Sequence, residues 1–124
     1  MIKNLIIAGG IAAMALCATQ AFAECSEDQE STAGMLAAGV GKTAVSKVIA
    51  VTGKQMVNIE SCEMRAGGYA VDFKYNFLAA DGLYWVEISS KFDASGGNAT
   101  AKVLKSSPNM AAAEAKAGVK LASN

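Results

Sequence analysis

Residues 69–92 read YAVDFKYNFLAADGLYWVEISSKF. Tyr69, Val71, Phe73, Tyr75 and Phe77 alternate with Ala70, Asp72, Lys74 and Asn76. That period of two gives a strand one face for a core and one for water. Asp81-Gly82 is the dipeptide of a two-residue type I′ hairpin turn. Tyr84, Val86, Ile88, Ser90 and Phe92 then resume the alternation. A loop at 81–82 pairs Phe77 with Val86, Tyr75 with Ile88 and Val71 with Phe92, all on one face. On the other face it sets Asp72 against Lys91 and Leu78 against Trp85.

Working outward, Ser95-Gly96-Gly97-Asn98 is a second turn. A Gly96-Gly97 loop pairs Phe92 with Ala101 and Ser90 with Val103 on the core face. The last strand runs over 98–105, with Lys102 and Lys105 discouraging pairing at its free edge. Upstream, 55–64 reads as the first strand, joined through Ala66-Gly67-Gly68. A three-residue loop there turns Val57 and Ile59 inward against Phe77 and Tyr75. A two-residue loop turns Met56, Cys62 and Met64 inward instead. The three-residue loop is preferred because it offers glycine at the left-handed position, and it leaves Cys62 pointing away from the core unless the strand bulges.

Residues 26–52 read as helix. Ser26 and Gln29 form a capping box, and Glu27, Asp28 and Glu30 place negative charge in the first turn. Leu36, Val40, Val45, Val48 and Ile49 form the apolar stripe, and Gly53 is the expected cap. Gly34, Gly39 and Gly41 each cost about 1 kcal/mol against alanine in a helix. They predict a kink or break near 39–41, or a close approach to the sheet. Ser107-Pro108 opens an alanine-rich helix over 109–121.

The fold class expected is α+β: an N-terminal helix on a four-stranded antiparallel meander, then a short C-terminal helix. This order resembles the cystatin-like roll in outline. Gln55-Met56-Val57 is similar to the start of the cystatin Q-x-V-x-G loop. Ile59 stands where that loop has glycine, and the segment opens a strand, so no inhibitory activity is implied.

Lys3, the uncharged run Leu5 to Cys17 and Ala21-Phe22-Ala23 read as a secretory signal peptide, residues 1–23, cut after Ala23. Residues 24–124 then form a single domain, periplasmic or secreted. Cys17 leaves with the leader. Cys25 and Cys62 remain as an even pair in an oxidising compartment, which predicts a disulfide. A chain running up the helix and back down the first strand returns Cys62 to the helix start.

The composition narrows the chemistry. The chain has 124 residues, no histidine, and 11 basic against 11 acidic side chains. There is no Ser-His-Asp triad, Cys-His pair or His-bearing metal site, and no metal or cofactor is expected. Balanced charge argues against a nucleic-acid binder. Beyond the leader no membrane span is expected in the mature chain. Gly39-Val40-Gly41-Lys42-Thr43 resembles the end of a phosphate loop, but Leu36 stands where the motif needs glycine. Asn98-Ala99-Thr100 is a glycosylation sequon that an ordinary glycine turn also explains. Glu60, Glu63, Asp72 and Glu87 offer carboxylates, but the register puts Asp72 and Glu87 in water. No enzyme is expected.

Trp85 and Leu78 fall on the face opposite the core, beside Leu83 and near Leu104. Either the C-terminal helix covers them, through Met110, Val119 or Leu121, or a partner does. The leading expectation is a non-catalytic accessory protein that contacts a protein of the cell envelope through Trp85, Leu78, Leu83 and Tyr84. The alternative is a carrier with an apolar cavity between helix and sheet, lined by Tyr69, Phe73, Tyr75, Phe77 and Phe92.

Overall fold

A computed structural model describes residues 22–121. Its elements are β1 (Phe22–Glu24), α1 (Glu27–Val45), β2 (Gln55–Arg65), β3 (Gly68–Ala79), β4 (Gly82–Asp93), β5 (Thr100–Ser106) and α2 (Pro108–Ala117). The strands form one antiparallel sheet in the order β1-β2-β3-β4-β5. The expected count of four is therefore corrected to five. The extra strand is short, pairing Ala23 with Met64 and Glu24 with Glu63. Nearly all of the expected leader lies outside the described residues; its last two, Phe22 and Ala23, stand in β1.

Helix α1 starts as the sequence implies. Ser26 Oγ accepts from the Gln29 N–H, and Gln29 Oε1 accepts from the Ser26 N–H. The helix is continuous through Gly39 and Gly41, so the expected break is absent. It ends at Val45 with Ser46 as cap, short of the expected 52. Gly53 has another use: Thr52 and Gly53 both donate to the Leu78 carbonyl, extending the β2–β3 pairing.

The buried stripe of α1 is also not the one expected. Ala33, Ala37, Gly41 and Val45, spaced at four residues, are fully buried, while Leu36 and Val40 are only partly so. Phe73, Tyr75 and Phe77 already fill the core volume, so the helix resting on them must be thin there. A Cβ on Gly41 would lie 2.6 Å from Cγ of the Tyr75 ring. The glycine thus serves close approach of helix to sheet.

The β3–β4 and β4–β5 hairpins keep their expected faces, but all three registers move; in β2–β3, Val57 lies opposite Tyr75 and Ile59 opposite Phe73, not Phe77 and Tyr75. In β3–β4, Phe77 lies opposite Tyr84, Tyr75 opposite Val86 and Val71 opposite Ser90. Asp72 meets Ser89, and Leu78 meets Leu83. The turn is Ala80-Asp81, neither with positive φ, so it is not type I′. A slip of two preserves every inward side chain, so alternation is blind to it. Aromatic and turn contacts favour the observed register. Phe77 stacks on Tyr84 at 5.5 Å, and Tyr84 donates to the Asp81 carboxylate at 2.9 Å.

In β4–β5, Ser90 meets Ala101 and Ile88 meets Val103. The longer turn is organised by Asp93, whose carboxylate accepts from the Ser95 and Gly97 N–H groups, the Ser95 hydroxyl and the Asn98 amide. These bonds, the Ser95 hydroxyl foremost, hold the Asp93 carboxyl below the usual aspartate range.

In β2–β3 a bulge between Ile59 and Ser61 resolves the conflict over Cys62. Below it Val57 and Ile59 turn inward; above it Cys62 and Met64 do. The one extra residue switches the strand between the two patterns. The turn is the two-residue Ala66-Gly67, both with positive φ, in place of the preferred three-residue loop.

Helix α2 is capped by the Ser107 side chain, carries Pro108 in its first turn and ends on left-handed Gly118. Met110 is fully buried and Ala113 packs against the same core. Both helices therefore lie on the core face of the sheet.

Candidate functional site

Cys25 and Cys62 form a disulfide across 37 residues, with Cα atoms 5.4 Å apart. Cys25 N–H also donates to the Cys62 carbonyl at 3.0 Å. The chain just before α1 is thereby fixed to β2.

The outer face of the sheet carries an apolar patch. Leu78 and Leu83 sit opposite each other, 38% and 60% exposed. Trp85 follows two residues along β4, opposite Asn76. The Lys74 amine lies 4.3 Å from the Trp85 ring centroid, a cation–π contact. Met56 is paired with Asn76 from the other side and is 58% exposed. Val57 turned inward implies Met56 turned outward, where it is available for surface contact. Asn76 donates to Asn58 Oδ1 at 2.8 Å, holding a polar pair within the patch.

The C-terminal helix does not cover this face. Met110 goes into the core, and α2 touches the end of β4 through its cap: Ser107 N–H donates to the Trp85 carbonyl, and Ser107 Oγ accepts from the Trp85 N–H. Tyr84 is corrected. It is 4% exposed and belongs to the core face, its hydroxyl bonded to Asp81. It is unavailable to a partner on the Trp85 side. Leu104 also leaves the patch, lining a hollow with Ala111, Ala115 and Val119. The β4–β5 irregularity beside it explains this: Glu87 pairs with Lys105 and Ile88 with Val103, so Leu104 is the extra residue.

The five aromatics proposed to line a cavity instead fill the core. Tyr69, Phe73, Tyr75, Phe77 and Phe92 are all buried. Tyr75 stacks on Phe77 at 5.4 Å, and Tyr69 tilts against Phe92 at 5.6 Å. Tyr75 donates its hydroxyl to Gln55, and burial pushes its pKa up to about 12. The small stripe of α1 closes down on these rings. Space opens beside them, in a groove of about 810 Å³ between α1 and edge strand β5.

Among the described residues no group of three or more His, Cys, Asp or Glu side chains is placed to hold a metal ion. The most buried carboxylate, Glu114, accepts from the Ser106 hydroxyl and the Leu121 N–H and so fastens the C-terminal segment. Gly39 to Thr43 lies inside α1, without the strand that a phosphate loop requires before it. No helix among the described residues is long and apolar enough to cross a membrane. No protein-family model matches the chain, and neither a curated protein nor a solved structure does.

Proposed function

We propose that this protein is a small exported binding protein, without catalysis, that holds another polypeptide against the outer face of its sheet. The observation that carries the reading is the facing pair Leu78 and Leu83, beside Trp85 and Met56, on the side away from both helices. Apolar side chains gathered on one face of a sheet favour contact over hydration. Strand-paired, disulfide-fixed backbone keeps the ordering cost of such contact low. The leader-like residues 1–23 and the Cys25–Cys62 pair support export.

The test is native mass spectrometry of the protein isolated from its own cell envelope, beside Trp85→Ala and Leu83→Asp variants. The wild type should carry a second polypeptide, and the Leu83→Asp variant should lose it while keeping its melting temperature. Trp85→Ala should weaken the complex by about 2 kcal/mol or more, the scale of an interface hot spot. Binding retained in both variants would overturn the proposal.

A further inference from the structure

The groove between α1 and β5 lies on the other side of the sheet from the patch just described. Its floor is apolar: Leu36 and Val40 from the helix, Val103 from the strand, and Leu121 from the C-terminal segment. Its rim is basic. Lys47 and Lys120 come from two different parts of the chain and both line it, and no acidic residue does. Lys102, which pairs with Ser89 between the inward Ala101 and Val103, turns its amine to the other face. Among the described residues neither the Lys47 nor the Lys120 amine is engaged in an ion pair.

We propose that this groove binds the monoanion of a medium-chain fatty acid, its tail on the apolar floor and its carboxylate between Lys47 and Lys120. The volume of about 810 Å³ suits such a ligand, since small-molecule sites run to roughly 300–1,000 Å³. The helix positions lining it, Met35 to Ala44, span about 14 Å at 1.5 Å per residue, the reach of an extended medium-chain acyl tail. Loop residues Ser95 and Gly96 bound the groove beside Leu36. A Cβ on Gly96 would lie 2.8 Å from Leu36 Cδ2, so the loop closes directly on that side chain. A bounded trough fits a ligand of finite length better than a peptide strand running past the β5 edge.

The same packing explains why the groove exists. Because Ala33, Ala37 and Gly41 bring the helix onto the aromatic core, Leu36 and Val40 are left beside that contact with their outer surfaces unfilled. Burying them under an acyl chain removes apolar surface from water.

The experiment titrates dodecanoate, dodecanol and an acidic peptide into ¹⁵N-labelled protein. The protein is purified from cells expressing the whole chain, with its mass recorded first. Dodecanoate should saturate, with shifts concentrated at 35–47, 99–103 and 120–121. The combined Lys47→Gln and Lys120→Gln variant should bind dodecanoate about fivefold more weakly, the summed effect of two exposed charges. Its affinity for dodecanol should stay unchanged, which separates lost charge from lost fold. Three results would overturn the proposal: no saturation by dodecanoate, shifts centred elsewhere, or equal affinity in the lysine variant. Saturation of these residues by the acidic peptide alone would assign the groove to a polypeptide. None of these outcomes bears on the outer-face proposal, whose residues are separate.

Discussion

Replacing Gly41 by alanine should destabilise this protein, although the same change in an ordinary helix stabilises it. In a helix interior alanine is better than glycine by about 1 kcal/mol. At position 41 the added Cβ would lie 2.6, 2.7 and 2.9 Å from three atoms of the Tyr75 ring. The ring cannot move aside cheaply: it is fully buried, stacked on Phe77 and tied to Gln55 through its hydroxyl. Overpacking a core costs roughly 1–3 kcal/mol, and a rigid ring on a sheet belongs at or above the upper end. The net loss should be about 2 kcal/mol. For a domain of about 100 residues that is on the order of 10 °C in Tm. Gly39 is the internal control, two residues away on the same helix, with nothing within 4 Å of a built Cβ. Gly39→Ala should therefore gain up to about 1 kcal/mol. The assay is urea denaturation without reductant, comparing midpoints at constant slope. In a Tyr75→Leu background the cost of Gly41→Ala should shrink, since the clashing ring is gone. A stabilised Gly41→Ala, the same sign at both glycines, or a cost unchanged without the ring would refute the close-approach argument.

Reducing Cys25–Cys62, or replacing both by alanine, should cost about 4 kcal/mol by the chain-entropy estimate for a loop closed across 37 residues. Calorimetry with and without reductant checks it, and an unchanged transition would show that the bond adds nothing. Asp93 predicts a pH effect. Its carboxyl is held below the ordinary value by the Ser95 hydroxyl and then the Gly97 N–H. That contribution is present above about pH 4, the unfolded aspartate value, and is lost as pH falls through the lower folded value. The stability gap between wild type and Asp93→Asn should therefore close on acidification, and a gap independent of pH would contradict the assignment.

Much of the fold was legible because its signals are local. Alternation over 69–77 and 84–92 fixed which side chains face inward, and the structure keeps every one of those faces. The Ser26–Gln29 box and the Ser107-Pro108 start act within one helical turn, so both helix beginnings were readable. Registers were not, because a two-residue slip leaves alternation intact. The choice fell to the Phe77–Tyr84 stack and the Asp93 carboxylate, contacts that exist only once strands meet. Tyr84 is adjacent to Leu83 and Trp85 in sequence, but its place in the alternation puts it on the core face, apart from theirs.

By itself the sequence determined an antiparallel α+β sheet with one helix before β2 and another after β5, the inward residues of its central strands, and the pairing of Cys25 with Cys62. Each depends on periodicity, on capping within a turn, or on two cysteines remaining once Cys17 is assigned to a leader. Only the tertiary structure decided that small residues of α1 make the core contact, that a bulge turns Cys62 inward, and that open space lies beside the aromatic core. Those outcomes depend on how much volume each side chain leaves for neighbours distant in sequence, and close packing settles that for the whole set at once.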